Sequence, residues 1–169
     1  GSARVYGGGL QITTTLDLAE APIDALARPL AGLGAALIFE KPSARTRHSM
    51  EMAVVQLGGH PVFTRGGEIG FGTREQGEDV ARIMEGFHAL IAARVYHHST
   101  VTRLASVSQV PVVNMVSDHS HPLQAFADAL TMRQQLGRLD GKTVAYVGDY
   151  NNVARSLGEI SARLGMHVR

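Results

Sequence analysis

Two arginines and two hydroxyl side chains fall within five consecutive residues of this 169-residue chain, Ser43-Ala44-Arg45-Thr46-Arg47. The stretch follows an apolar run at 35–38 and precedes residues 50–57, whose apolar side chains have helical spacing. This pattern predicts a turn from a strand into a helix. The first N–H groups of a helix have no partner within it and lie at the positive end of its dipole. The stretch is therefore a candidate anion site, and a phosphate suits its donors.

Further polar side chains follow two other predicted strands. Arg94 comes directly after an apolar run at 89–93, and His121-Pro122-Leu123-Gln124 comes shortly after a run at 110–113. Ligands of open parallel sheets bind beyond the carboxyl ends of the strands, so we expect these groups to meet at one edge. Arginines suit a phosphate, and Arg94 and His121, together with Thr46, could polarise a carbonyl. The combination indicates a small, doubly charged substrate.

Other histidines and glycines favour simpler interpretations. His97-His98 fits a surface turn. Asp118-His119-Ser120-His121 offers metal-ligand types, but a third ligand at a suitable spacing is missing. Gly148-Asp149 does not belong to a G-x-G-x-x-G motif, which disfavours a nicotinamide cofactor.

Strands and helices alternate along the chain, which predicts an α/β fold with a parallel sheet flanked by helices and right-handed crossovers. A flexible, glycine-containing lead-in at 3–9 and a helix over 16–30 are expected before the first strand of the sheet, and a glycine-rich loop is expected at 65–74. The strands are expected at 35–38, 60–63, 89–93, 110–113 and 143–147.

Residues 1–137 are predicted to form one α/β domain. Residues 138–169 are expected to be a linker and the incomplete start of a second, Rossmann-like α/β domain, with a strand, a turn at 148–152 and a helix over 153–164. One strand and one helix cannot cover both faces of a parallel sheet. We therefore expect either a fragment or further residues beyond this sequence.

Composition excludes several classes of function. A net charge of +1 with dispersed basic residues argues against nucleic-acid binding. Neither an apolar run long enough to span a membrane nor a signal pattern is seen, so the expected location is cytoplasmic. The absence of cysteine from the sequence excludes disulfides and thiolate chemistry within it.

Two motifs identify a family resemblance. Residues 39–47, Phe-Glu-Lys-Pro-Ser-Ala-Arg-Thr-Arg, resemble the phosphate-binding S-T-R-T-R motif of aspartate and ornithine carbamoyltransferases, and His121–Gln124 is similar to their H-P-x-Q motif. Features similar to the ornithine branch are Lys41 in F-E-K-P, Leu57-Gly58-Gly59-His60, and Gly148-Asp149-Tyr150-Asn151-Asn152-Val153-Ala154.

The resemblance implies a role for each matching residue. Arg94 would bridge the phosphate and the carbonyl oxygen of carbamoyl phosphate, and His121 would polarise that carbonyl. Gln124 and the carbonyl of Leu123 would hold the carbamoyl NH2 group, and Asn152 would contact L-ornithine. The phosphate would be held by Ser43, the backbone of Ala44, Arg45 and Thr46.

The resemblance also implies an activity and an assembly. An amine would attack carbamoyl phosphate and expel phosphate, in arginine biosynthesis, with neither a metal nor an organic cofactor. Fixed donors would stabilise charge on the carbonyl oxygen, and holding two substrates together would lower the entropic barrier. The family forms trimers, so a homotrimer or a multiple of trimers is expected.

Two residues depart from the family pattern. Ala44 replaces the usual threonine, which removes a hydroxyl but keeps the backbone N–H. Glu68 stands where the family commonly has glutamine, and a carboxylate beside a phosphate repels it unless it is paired or turned away. Two alternatives stay open: a related transcarbamylase with another amine acceptor, and a non-catalytic domain that binds carbamoyl phosphate or another anion.

Overall fold

The computed structural model describes residues 5–6, 9–10, 28–70 and 74–169. Most of the helix predicted over 16–30 lies outside these residues. Within the predicted lead-in, two short strands pair antiparallel, β1 (Val5–Tyr6) and β2 (Gly9–Leu10). The flexible lead-in expected at 3–9 is corrected at Val5, Tyr6 and Gly9, which belong to paired strands, and valine and tyrosine favour extended backbone.

A four-stranded parallel sheet forms the centre of the described residues. Its strands lie in the order β4-β3-β5-β6, which confirms the predicted parallel α/β fold. Their bounds are β3 Gly34–Phe39, β4 His60–Arg65, β5 Leu90–Arg94 and β6 Val112–Val116.

Helices cover both faces of this sheet, as a parallel sheet requires. On one face, Ile38 and Ile91 are fully buried with Leu104. On the other face, Leu37 and Met115 are buried in a second cluster. The covering helices are α1 Ala44–Gln56, α3 Gly77–Glu85, α4 His98–Val107 and α5 Pro122–Leu136.

Two predicted boundaries need correction. A loop is expected over 65–74, but the first part of this segment forms a short helix, α2 (Gly66–Ile69), which ends at Gly70 with a left-handed φ of 71°. Four residues are too few to show a helical period, and the glycines of this segment favour a loop in sequence-based prediction. The strand expected at 110–113 instead occupies β6 and runs three residues further, because its later residues are buried.

Residues 138–169 form a strand, a helix and a strand: β7 (Thr143–Val144), α6 (Asn152–Arg163) and β8 (His167–Val168). The predicted strand 143–147 is shorter than expected, since β7 pairs only with the two residues of β8. α6 packs on α5 through Ile160 against Ala125 and Ala129. Among the described helices, none is long and apolar enough to cross a bilayer.

Candidate active site

The turn before α1 is fixed by hydrogen bonds among its own residues. Ser43 is the N-cap, and its hydroxyl accepts a hydrogen bond from the Thr46 N–H at 3.3 Å. The Ser43 hydroxyl also donates to the Thr46 hydroxyl oxygen over 3.0 Å. A serine cap satisfies one of the N–H groups that a helix start leaves unpaired. The other first-turn N–H groups, beginning with that of Ala44, are available to an anion.

Arg94 is the last residue of β5 and approaches Thr46 from a different strand. The register of β5 against β6 shifts between Ala93 and Arg94. Such an irregularity changes the direction in which the following side chains point. The Arg94 Nη1 donates to the Thr46 hydroxyl over 3.4 Å. Its Nε is buried and has no hydrogen-bond partner among the described residues. Burial lowers the pKa of Arg94, but a guanidinium stays charged in proteins. A half-buried cation with a buried, unpaired N–H favours an anionic ligand.

His121 precedes α5 as its N-cap, and Pro122 follows in the first turn as predicted. Its Nδ1 is buried and lacks a hydrogen-bond partner among the described residues. Burial, and secondly the charge of Arg94, lowers the pKa of His121, while Asp128 acts in the opposite direction. The lowered pKa favours the neutral form of the imidazole. It can donate one N–H to an oxygen that gains negative charge in a reaction.

One cavity of 780 Å³ joins these groups. Its volume lies in the range typical of small-molecule sites. The elements that build it are the ends of parallel strands and the starts of the following helices, as expected for this fold. Seven of the residues predicted for the site line this cavity: Ser43, Arg45, Thr46, Arg94, His121, Leu123 and Gln124.

The two arginines of the first motif separate. Arg45 lines the 780 Å³ cavity, whereas Arg47 and Ala44 border a neighbouring cavity of 530 Å³. The Arg47 Nε donates to the Glu51 Oε1 at 2.8 Å, and its guanidinium lies 3.7 Å from the ring centroid of Phe63. Arg47 is thus engaged by its own helix and by β4.

Asp128 is a cavity residue that the sequence analysis missed. It lines the same 780 Å³ space, and its Oδ1 accepts a hydrogen bond from the Gln124 Nε2 at 2.8 Å. The two residues are four apart on α5, so their helical spacing was the available signal. The bond occupies the NH2 end of the Gln124 amide and leaves its carbonyl oxygen as an acceptor.

Asn152 lies beside the cavity rather than in its wall. Its Nδ2 donates to the carbonyl oxygen of Ser117 over 2.6 Å. The following residue, Val153, lines the cavity. In this structure the NH2 group of Asn152 therefore holds the loop that leads to α5.

Glu68 is turned toward its own short helix. Its Oε1 accepts a hydrogen bond from the Arg65 N–H at 3.4 Å, and the side chain does not line the 780 Å³ cavity. In this arrangement its carboxylate is not placed beside the candidate phosphate site.

A cluster of polar side chains on the surface lies apart from the cavity. The carboxylate of Asp118 accepts a hydrogen bond from the His98 N–H at 2.7 Å and lies 3.4 Å from the His97 Nδ1. The rings of His98 and His119 have centroids 4.8 Å apart. Within the parts of the chain that the structure describes, no group of three His, Asp or Glu could hold a metal ion. Of the surface turn predicted at His97-His98, only His97 is exposed ahead of α4, whereas His98 is half-buried and is the first residue of that helix.

The amino-acid sequence was compared with protein-family models and with known proteins. Residues 10–134 match the family model described as "Aspartate/ornithine carbamoyltransferase, carbamoyl-P binding domain". The ornithine carbamoyltransferase of Thermus thermophilus is 51% identical over 140 residues, which are 83% of this chain and 46% of that protein.

Solved structures give the same result. The ornithine carbamoyltransferase from Thermus thermophilus matches with a TM-score of 0.80 at 50% identity, covering 85% of this chain and 50% of that chain. The enzyme of that name from Pyrococcus furiosus gives a TM-score of 0.81 at 44% identity, over 84% and 45%. An N-acetyl-L-ornithine transcarbamylase in complex with PALAO gives 0.74 at 32% identity, over 86% and 52%.

The chain spans about half the length of these relatives. The match to the family model includes the Ser43–Arg47 turn, Arg94 and the His121–Gln124 segment, and these are residues that the structure brings to one cavity. The chain therefore belongs to the aspartate/ornithine carbamoyltransferase family.

Proposed function

We propose that this chain binds carbamoyl phosphate and forms part of an ornithine carbamoyltransferase. The reaction transfers the carbamoyl group to the side-chain amine of L-ornithine and gives L-citrulline and phosphate. The observation that carries the proposal is the cavity that Thr46, Arg94 and His121 line together, with Arg94 and Thr46 in direct contact. The relatives named ornithine carbamoyltransferase support the choice of acceptor.

The phosphate is held by the first turn of α1. The Ala44 N–H belongs to the unpaired N–H groups at the helix start, and Arg45 lines the cavity from the same turn. The hydroxyls of Ser43 and Thr46 are already oriented by their mutual hydrogen bond. A phosphate at this place is stabilised by the helix dipole and by charged donors.

The carbonyl oxygen is stabilised by Arg94 and His121. The amine nitrogen attacks the carbonyl carbon, a C–N bond forms, and the π electrons of the C=O bond move onto oxygen. The tetrahedral intermediate then collapses: the C=O bond re-forms, the C–O bond to phosphate breaks with its electron pair leaving on phosphate, and the departing phosphate takes the proton that the amine nitrogen loses. Fixed donors aimed at that oxygen lower the barrier because its charge grows in the transition state.

The carbamoyl NH2 group is held by acceptors at the start of α5. Asp128 occupies the Gln124 NH2 group, so the Gln124 carbonyl oxygen is available to accept from the substrate. The backbone carbonyl of Leu123 supplies a second acceptor at the same helix start. Two acceptors on one NH2 group fix the plane of the carbamoyl group for attack.

The remaining parts of the assignment extend beyond the cavity. Residues 138–169 start a second α/β domain, and Asn152 contacts the amino-acid substrate once its bond to Ser117 is exchanged.

The assembly is a homotrimer or a multiple of trimers. The location is cytoplasmic, and the role is in arginine biosynthesis. The supporting observations are the strand-helix-strand unit of β7, α6 and β8 and the family match.

One observation favours a different amine substrate, N-acetyl-L-ornithine, as the acceptor of the carbamoyl group. The structure of an N-acetyl-L-ornithine transcarbamylase matches this chain at 32% identity. The carbamoyl phosphate site would be common to both reactions, so the two candidates differ only in the amine that attacks. An assay with both amines separates them.

The test has a binding arm and a turnover arm. Carbamoyl phosphate is titrated calorimetrically into this chain, and saturable binding is expected. Phosphate release from carbamoyl phosphate is then measured in the full-length gene product with L-ornithine, with N-acetyl-L-ornithine and with L-aspartate as separate acceptors, and the carbamoylated product of each reaction is identified. Turnover with L-ornithine alone supports the proposal, and turnover with only another amine replaces the acceptor. Binding without any turnover supports the anion-binding alternative, and absence of binding rejects the site.

A further inference from the structure

The loop that carries His121 is held from outside by the helix α6. The His121 N–H donates to the Ser156 hydroxyl oxygen over 2.9 Å. The Ser156 and Ser120 hydroxyl oxygens lie 3.0 Å apart and are hydrogen-bonded to each other. Ser120 and Ser156 are both fully buried. Thirty-five residues separate His121 from Ser156, so this bond joins two elements that are distant in sequence.

The other backbone groups of the loop are bonded both within it and from outside, since the Ser117 carbonyl accepts from the Asn152 Nδ2 and the Asp118 N–H donates to the Tyr96 carbonyl. The Ser117 hydroxyl accepts a hydrogen bond from the Ser120 N–H at 3.2 Å and donates to the Ser120 carbonyl at 3.3 Å. The Ser117 N–H also donates to that carbonyl, over 2.9 Å. His121 itself has no side-chain cap bond and is followed by Pro122, which has no N–H. The hydrogen bond that fixes the His121 N–H therefore comes from α6.

The imidazole has no comparable restraint of its own. Its Nδ1 is buried without a hydrogen-bond partner among the described residues. The direction of the ring into the cavity therefore depends on the backbone at His121 and on packing. A small displacement of that backbone moves the ring relative to Arg94, and misplacement by about 1 Å can cost an enzyme about 100-fold in rate.

We propose that Ser156 is a positioning residue for His121, whose hydroxyl fixes the main chain and thereby holds the imidazole in the cavity with Arg94. The inference rests on the proposed function for its catalytic meaning. The structural part does not need that function, because the ring position can be measured without substrate.

The experiment compares Ser156→Ala with Ser161→Ala in this chain. Ser161 is a matched control because it is a fully buried serine on the same helix, with a hydroxyl that has no hydrogen-bond partner among the described residues. Two quantities are measured: the NMR titration midpoint of the His121 imidazole, assigned with His121→Gln, and the dissociation constant for carbamoyl phosphate. The charged groups that act on His121 are Arg94 and Asp128.

Ser156→Ala is expected to raise the midpoint toward the ordinary histidine value, because the ring gains water and moves from Arg94. It is also expected to weaken carbamoyl phosphate binding about tenfold, as loss of a buried hydrogen bond at a site does. Ser161→Ala should change neither quantity. Ser156→Thr, which keeps the hydroxyl, should return both values toward those of the unaltered chain.

An unchanged titration midpoint in a folded Ser156→Ala variant would overturn the inference, as would equal shifts in the Ser156 and Ser161 variants. If the threonine variant does not fold, the comparison of the two alanine variants still decides. Failure of the unaltered chain to bind carbamoyl phosphate rejects the proposed function instead, while the imidazole titration continues to test the role of Ser156.

Discussion

The Nη1 of Arg94 lies 3.4 Å from the hydroxyl oxygen of Thr46, although 48 residues separate them in the chain. The contact joins the end of β5 to the first turn of α1. It places the cation of one element beside the helix dipole of another, and both attract negative charge. This pairing makes the strand edge a candidate phosphate site rather than a set of separate surface residues.

Replacing Arg94 by alanine is expected to weaken carbamoyl phosphate binding and to lower turnover about 100-fold to 1,000-fold, the usual cost of removing one donor to a developing oxyanion. Calorimetry on this chain and citrulline formation by the full-length gene product measure the two effects. Arg82→Ala is the control, because Arg82 is exposed on α3 and pairs only with Asp79 among the ion pairs described. Equal affinities for the two variants would contradict the assignment of Arg94.

The positions of Arg94 and Ser43 could be predicted because each follows an uninterrupted apolar run. Such runs indicate strands buried on both faces, and Ile38 and Ile91 are indeed fully buried. Once the strands are parallel, their carboxyl ends must share an edge. Because each residue follows its strand in the sequence, both are then predicted to lie at that shared edge of the sheet.

The contacts of Ser156 and Asp128 could not be predicted in the same way. The bond from His121 to Ser156 depends on how α6 packs against α5, which no local periodicity encodes. The role of Asp128 depends on the direction in which Gln124 points. The short helix α2 was missed for a different reason. It is held by hydrogen bonds from Glu68 and the backbone, and it has no periodic apolar face that the sequence could reveal.

Ser43→Ala is expected to lower the free energy of unfolding by about 1 kcal/mol, because α1 loses its N-cap. Carbamoyl phosphate binding should weaken as well, since the Thr46 hydroxyl loses the hydrogen bond from Ser43 and keeps only the one from Arg94. Urea denaturation and calorimetry measure the two quantities. Ser106→Ala is a suitable control, because its exposed hydroxyl only bonds back to the Arg103 carbonyl on α4. Similar losses of stability in both variants would show that the Ser43 cap contributes nothing specific.

The free energy of unfolding is expected to fall as the pH drops below about 6.5, the ordinary histidine value. The fold lowers the pKa of His121, chiefly by burial, so the unfolded chain binds this proton more readily than the folded chain. Stability from this source is therefore present above the ordinary value and is lost as the pH falls through the folded pKa. His121→Gln should flatten that part of the profile. Parallel profiles from urea denaturation of the two proteins between about pH 5 and pH 7 would contradict the prediction.

Replacing Ala44 by threonine is expected to strengthen phosphate binding. Ala44 is the first residue of α1, is exposed, and stands where the S-T-R-T-R motif has a hydroxyl. One additional hydrogen bond to a charged group contributes about 1.5 kcal/mol, which corresponds to roughly a tenfold lower dissociation constant for carbamoyl phosphate. Ala44→Val is the matched control, because it adds nearly the same shape without the hydroxyl. If both variants bind equally well, the threonine gains nothing from its hydroxyl, and the backbone N–H is the only group of residue 44 that the phosphate uses.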